Sequence, residues 1–249
     1  MISAQKPETI QKMFDRIAKR YDLANSILSL GTHRWWKRKL VKMALSSIPR
    51  DAAAVRILDC ATGTGDIAEL WSQFLARRVS GVQGSEIVAT DFSEGMLLEA
   101  RKRQSSEPHR FPVNTRFEWA DVQKLSFQDG AFDRATISFG IRNVANPVQA
   151  LTELGRVVKP GGEVWVLEFG QPRLFGVSAL YRLYSKKILP QVGGWISGQN
   201  EAYRYLDESS SLFPCGEAFL DLARASGKFT EVSAIELTAG VAYLYCLKR

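Results

Sequence analysis

The sequence predicts a doubly wound α/β sheet, and three observations carry that reading. Short β-rich runs recur from residue 55 onward, separated by segments long enough for a helix. A small-residue turn with two glycines follows the first run, as at a strand-to-helix junction that a ligand approaches closely. The last two runs are joined only by Thr238, Ala239 and Gly240, too short for a parallel crossover, so they pair antiparallel.

Residues 1–50 read as a helical cap. Ile10, Met13, Phe14 and Ile17 fall at i, i+3, i+4, i+7 after Pro7, and Pro49 closes a second helical stretch. There Arg34, Arg38 and Lys42 share one face, opposite a stripe of Trp36, Leu40, Met43 and Ala44. Runs at 55–60, 86–91, 115–120, 132–139 and 163–169 then alternate with helical segments, which predicts a parallel sheet covered on both faces. From 171 to 212 the rhythm breaks, and this segment is expected to cover the ligand site. Runs at 229–237 and 241–247 complete seven strands. One domain over 1–249 follows: a cap (1–50), a cofactor-binding core (51–170), the cover (171–212) and a hairpin region (213–249).

Composition narrows the function. A length of 249 residues and 45% hydrophobic content suit one large domain with a sizeable core. Thirty-three Lys and Arg against twenty-six Asp and Glu leave +7, which favours an anionic partner, nucleic acid or a membrane surface. The longest uncharged stretch, 188–200, is 13 residues and holds Pro190, Gly193, Gly194 and Gly198, so it cannot span a bilayer as a helix. The first residues carry Lys6, Glu8 and Lys12 and no apolar core of a signal peptide. A cytoplasmic location is expected; the basic face of the cap reads first as a solvated outer face, with transient contact with the inner face of the membrane as the alternative. Cys60, Cys215 and Cys246 are widely spaced without a CxxC pair, and His33 and His109 are the only histidines, so neither a disulfide framework nor a metal site is expected.

The cofactor site is sought at Asp59-Cys60-Ala61-Thr62-Gly63-Thr64-Gly65-Asp66. Gly63-x-Gly65-x-x-Ala68 also fits the dinucleotide fingerprint, so the turn alone does not choose a ligand. Asp91 ends the second run, where a carboxylate can accept hydrogen bonds from a ribose diol. Asp59 can pair with the amino group of a methionine moiety, whereas it would repel a pyrophosphate. S-adenosylmethionine (AdoMet) is therefore preferred over NAD, with the Gly63-Thr64-Gly65 backbone around its methionine end. Phe92 and Met96 would flank the adenine, Asp121 would accept its amino hydrogens, and Val122 would pack on its ring. Ser138 and Phe139 would face the sulfonium. Five parallel strands followed by an antiparallel hairpin are the architecture of class I AdoMet-dependent methyltransferases, whereas dehydrogenases of this size more usually continue in parallel.

Several segments, in order, resemble the ubiquinone/menaquinone biosynthesis C-methyltransferase family. They are Met13-Phe14-Asp15-Arg16-Ile17-Ala18 with Tyr21-Asp22 and Asn25, Leu28 through Trp35, Leu58 through Asp66, and Ile137-Ser138-Phe139-Gly140-Ile141-Arg142-Asn143-Val144. Val158-Lys159-Pro160-Gly161-Gly162, Leu167-Glu168-Phe169, Tyr203-Arg204-Tyr205-Leu206-Asp207-Glu208-Ser209 and Leu237-Thr238-Ala239-Gly240-Val241-Ala242 complete the set, which spans nearly the whole chain. Departures are Thr62 where the family usually has Gly, Asp121 where many members have Asn, and Gly170-Gln171-Pro172 in place of Ser-Lys-Pro. The resemblance implies C-methylation of a polyprenylated quinol, demethylmenaquinol to menaquinol, with a ubiquinone-pathway benzoquinol as the alternative acceptor.

Phe139-Gly140-Ile141-Arg142-Asn143 is similar to the family's active-site segment. Arg142 stays charged and cannot accept a proton. It is expected to stabilise a quinolate or orient a water, with Asn143 and Asp121 completing the network; an alternative has Arg142 on a surface loop paired to a carboxylate and Asn143 capping the next helix. His33 is the alternative base. A nucleic-acid methyltransferase, suggested by +7 and by Pro214-Cys215, is the rival enzyme. Its cysteine would lie beyond the fifth strand, out of place for attack on a base, and no Asn-Pro-Pro-Tyr-like motif occurs, so no nucleic-acid partner is expected. An AdoMet-binding regulator is the non-catalytic rival. The sequence assigns no oligomeric state.

Overall fold

The computed structural model describes residues 31–79, 82–172 and 209–249. The helix expected around Ile10, the Tyr203-Arg204-Tyr205 motif and most of the 171–212 cover lie outside the described residues. The first described helix, α1 (Thr32–Ser46), is followed by β1 (Arg56–Cys60), α2 (Asp66–Arg78), β2 (Glu86–Asp91), α3 (Glu94–Ser106), β3 (Asn114–Trp119) and β4 (Phe132–Ser138). Then come α4 (Pro147–Val157), β5 (Val158–Phe169), α5 (Glu217–Ala225), β6 (Glu231–Leu237) and β7 (Ala242–Lys248).

The sheet runs β3-β2-β1-β4-β5-β7-β6. Its first five strands are parallel, and β7 slots antiparallel between β5 and β6. Parallel strands buried on both faces read as apolar runs, and alternate residues of one run serve different faces. Ile57, Ile87 and Ala89 join the core under α1, α2 and α3, whereas Leu58, Cys60 and Val88 join the core under α4 and α5. The strand order reverses between β1 and β4, and this switch point opens a crevice at the carboxyl ends of the strands, where ligands of such sheets bind.

Local chemistry sets the helix starts. Ser93 caps α3 by accepting the Met96 amide N–H, and Asn146 caps α4 by accepting that of Gln149, with Pro147 at the first helical position. The cap of α4 is thus Asn146, not Asn143, which lies in the short turn Ile141–Asn143. Along α1, Trp36, Leu40 and Ala44 are buried, while Arg34, Arg38 and Lys42 are exposed, as the periodicity predicts. The strand β5 starts earlier than its sequence pattern suggests. It runs through Lys159-Pro160-Gly161-Gly162, with a register irregularity against Phe132 and Arg134 that absorbs the glycines.

Candidate active site

The carboxyl edge of β1, β2, β4 and β5 collects most of the residues singled out above. After β1 the chain turns through Ala61, at φ 51, and then Gly63 and Gly65 at φ 60 and 89. Positive φ is uncommon outside glycine, so the Ala61 conformation is held by its surroundings. Its methyl also sets the residue opposite: a Cβ on Gly140, in the turn after β4, would stand 2.4 Å from the Cβ of Ala61. The two turns abut across the switch point, and Phe139, beside Gly140, is also at positive φ, 55.

Two amides of the glycine turn are spent internally. The Gly63 N–H donates to Asp91 Oδ2 at 2.8 Å, and the Gly65 N–H donates to the Thr62 carbonyl at 3.0 Å. Among the described residues a Cβ at Gly63 would meet nothing within 4 Å, whereas one at Gly65 would press on the Phe117 ring at 3.1 Å. Gly63 therefore leaves space for a ligand, while Gly65 serves close helix packing. The buried Thr64 lies between them.

Asp91 also accepts the Ser93 N–H through Oδ1 at 2.9 Å, which fixes its plane at the end of β2. Asp59 is fully buried beneath the turn, with Oδ2 accepting from the Thr62 hydroxyl at 2.6 Å and Oδ1 from the Thr136 hydroxyl at 2.7 Å. Burial pushes its carboxyl up to about 7, against those two hydroxyls and Lys37, which lower it. Thr62, the departure from the family's usual glycine, thus finds a partner in Asp59. A carboxyl engaged by two hydroxyls supports the floor of the turn.

Beyond β2, Phe92 is half-buried and its ring lies 5.4 Å from that of Trp119, whose indole N–H donates to the Phe92 carbonyl at 3.0 Å. Trp119, half exposed at the end of β3, was not singled out from sequence; an apolar aromatic closing a strand beside Ala120-Asp121 was the available signal. Met96 is buried, and Val122 packs against the core under α4. Asp121 accepts both the backbone N–H and the side-chain amide of Gln123 through Oδ1, at 2.9 and 3.2 Å.

The Ser138 hydroxyl at the end of β4 is buried and has no hydrogen-bond partner among the described residues. Arg142 is paired to a carboxylate, as in the alternative reading, but in the interior and not on a surface loop. Its guanidinium is buried, and Nη1 donates to Glu168 Oε1 at 2.9 Å and to the Phe139 carbonyl at 2.5 Å. The expected network with Asp121 is not formed, because Asp121 is turned to Gln123; the partner is Glu168, at the end of β5. Burial raises the Glu168 carboxyl, and Arg142 and two backbone amides oppose that shift.

The start of α1 closes the edge. Trp36 packs 6.3 Å from Phe139 and 6.4 Å from Phe169, and those two rings lie 4.4 Å apart. One turn earlier, His33 is buried, and burial, helped by Lys37 and Arg34 and opposed by Asp66, lowers its imidazole to about 4. Lys37 donates to Asp66 Oδ2 at 2.9 Å, and Arg103 of α3 donates to Asp66 Oδ1 at 2.6 Å. Burial raises the Asp66 carboxyl, but these two cations outweigh it and hold it well below the carboxylate range. Asp66 thus clamps α1 and α3 to the glycine turn.

An open space at Gly63, an oriented carboxylate at Asp91 and an orphaned hydroxyl at Ser138, all on the switch-point crevice, fit an adenosyl amino acid better than a dinucleotide. A pyrophosphate needs free turn amides, and two here are already committed.

Residues 2–248 match the model of the ubiE/COQ5 methyltransferase family. The chain is 44% identical over 239 residues to the ubiquinone/menaquinone biosynthesis C-methyltransferase UbiE of Bdellovibrio bacteriovorus, covering 96% of this chain and 95% of that one. It is 42% identical to the demethylmenaquinone methyltransferase of Thermus thermophilus, covering 94% and 98%. In fold it is similar to a SAM-dependent methyltransferase from Thermotoga maritima, at TM-score 0.59 and 19% identity, over 95% of this chain and 98% of that one. Another solved structure of like fold is phosphoethanolamine N-methyltransferase 2 of Haemonchus contortus in complex with S-adenosyl-L-methionine, at TM-score 0.52 and 18% identity, over 80% and 38%.

Proposed function

This chain belongs to the ubiE/COQ5 methyltransferase family, uses AdoMet as its methyl donor, and, we propose, converts demethylmenaquinol to menaquinol. The observation that carries the substrate is the full-length likeness to relatives named as demethylmenaquinone methyltransferases or as ubiquinone/menaquinone biosynthesis C-methyltransferases. AdoMet, held over the glycine turn, would supply an electrophilic methyl to a hydroquinone ring carbon, its sulfur keeping the bond pair, and the ring proton would pass to a water held by Arg142 or to His33.

The chain's own residues hold the two reactants in register, which can supply up to about 7–11 kcal/mol of barrier reduction. Asp91 would hold the ribose, Phe92, Met96 and Val122 the adenine with Asp121 at its amino group, and the Gly63-Thr64-Gly65 turn the methionine end, over Asp59. Phe139 and Phe169 give the acceptor ring an apolar face beside Ser138 and Arg142. Arg142 would stabilise a quinolate, with Asn143 beside it, and His33, neutral at pH 7, is the alternative group for the proton.

A prenyl tail gains about 0.8 kcal/mol per buried methylene in lipid, so the substrate stays in the membrane and the enzyme comes to it. No helix among the described residues is long and apolar enough to cross a bilayer. The face that meets the lipid is α1, where Arg34, Arg38 and Lys42 are exposed beside Trp35, itself 53% exposed with the Lys39 ammonium 5.2 Å from its ring. Trp35→Ala together with Arg38→Glu should abolish flotation with anionic vesicles while leaving AdoMet binding intact; unchanged flotation would remove α1 from this role.

The test of function is methylation of a short-chain demethylmenaquinol with radiolabelled AdoMet, with and without dithionite. Product should form only with the reductant, because the hydroquinone alone pushes electron density onto the ring carbon. Equal rates in both arms would rule the reading out, and a faster rate on a demethylated benzoquinol would move it to the ubiquinone-type acceptor.

A further inference from the structure

Glu168 stands alone as a charge in Trp165-Val166-Leu167-Glu168-Phe169 and is 1% exposed. Burying a carboxylate is unfavourable unless a cation goes with it, and Arg142 is that cation, from the turn after the neighbouring strand. Such a pair is rarely a source of stability, since well-packed apolar residues of the same volume often do as well or better. The two charges therefore call for another role.

The geometry supplies one. Glu168 Oε1 also accepts the Phe169 N–H at 2.8 Å, which ties the carboxylate to the backbone of β5. From that anchor it holds Nη1 of Arg142 where the same nitrogen reaches the Phe139 carbonyl. The guanidinium is thus spent at Nη1, while its Nε–H is buried with no partner among the described residues. The Ser138 hydroxyl is in the same condition. These two donors lie on either side of Phe139 in the chain, at the carboxyl edge of β4.

Resting on the reading of the chain as a quinol methyltransferase, we infer that Glu168 is a positioning residue for methyl transfer, fixing Arg142 so that its Nε–H meets a hydroxyl oxygen of the acceptor. A guanidinium there favours loss of the hydroxyl proton to water, the quinolate then pushes electrons onto the ring carbon that takes the methyl, and the ring proton at that carbon returns to the oxygen. The carboxylate behind it tempers the cation, so that the oxyanion is stabilised without being made inert.

The experiment compares wild type, Glu168→Gln, Glu168→Asp and the doubly neutral Arg142→Gln/Glu168→Gln chain in quinol turnover, AdoMet affinity by calorimetry, and melting temperature. Glu168→Gln leaves a buried cation unpaired and should melt lower, whereas the double variant removes both charges and should recover much of that loss. Turnover should not recover with it: kcat should stay down by about a hundredfold or more, as for loss of a group acting in the transition state, with AdoMet affinity within about threefold of wild type. Glu168→Asp should regain part of kcat. The inference is overturned by a Glu168→Gln enzyme of near wild-type kcat, by a double variant whose kcat returns with its stability, or by AdoMet affinity falling in step with rate. Failure of every variant to fold would assign the pair to the scaffold and overturn it equally. A wild-type enzyme that binds AdoMet and methylates no quinol would instead bring down the functional reading, and this inference with it.

Discussion

Asp91 at the end of β2 accepts the amide N–H of Gly63 at 2.8 Å, so the acid that follows one strand is locked to the turn that follows its neighbour. The carboxylate and the glycine turn form one unit. Each carboxylate oxygen takes more than one donor, so orientation by Gly63 and Ser93 is compatible with a bound ribose diol.

Asp91→Ala should therefore weaken AdoMet twice over, by losing the ribose contacts and by releasing the turn. Hydrogen bonds to a charged group are each worth about 1.5–3 kcal/mol, so affinity should drop by at least about tenfold in calorimetry. Unchanged affinity, or binding of NADH in place of AdoMet, would sink the cofactor placement.

The contact between the turns after β1 and β4 predicts a reciprocal pair of substitutions. Gly140→Ala puts a Cβ onto that of Ala61 and should destabilise by about 1–3 kcal/mol, the usual range for overpacking. Adding Ala61→Gly removes the opposing methyl and relieves a positive φ, so the double variant should recover most of the loss in urea unfolding. Simple additivity of the two effects would show that the contact is not what limits the site.

Two buried groups give opposite pH dependences. Asp59 has a folded pKa of about 7 against 3.8, so the folded state holds more protons across that window and stability falls as pH rises through it. His33 is lowered to about 4 from 6.5, so its contribution is lost as pH falls from 6.5 toward 4. Asp59→Asn should make stability climb more steeply between pH 4 and 6.5, and His33→Phe should flatten that climb. A curve unmoved by Asp59→Asn would mean that the carboxyl is not held in its buried place.

The roles of Arg142 and His33 separate kinetically at saturating AdoMet. Arg142→Ala should lose about a hundredfold or more in turnover, and His33→Ala less than about tenfold, since an imidazole lowered to about 4 is a weak base at neutral pH. The reverse ranking would transfer the proton work to His33.

Legibility in the sequence followed periodicity and failed at pairing. The run 86–91 and its terminal Asp91 stand as the periodicity places them, because a buried parallel strand is a local apolar pattern with a sharp end. The partner of Arg142 was not readable in this way. Glu168 lies 26 residues further along, and only the topology sets β4 beside β5. A signal was nonetheless present, since an acid at the apolar end of a strand, in Trp165-Val166-Leu167-Glu168-Phe169, demands a cation. Trp36 and Phe169 were likewise legible as core but not as walls of the site, because the aromatic cluster joins elements distant in the chain.

The indole N–H of Trp36 donates to the Thr238 hydroxyl at 3.0 Å, a contact between residues 202 apart in sequence. Thr238 and Ala239 hold the tip of the β6–β7 hairpin at positive φ, and β7 lies between β5 and β6. Thr238 is made long after α1, so this contact of α1 forms only once the hairpin turn exists. Contacts of such separation close late. Until then α1 is held over the glycine turn without that tie, by contacts such as Lys37 with Asp66.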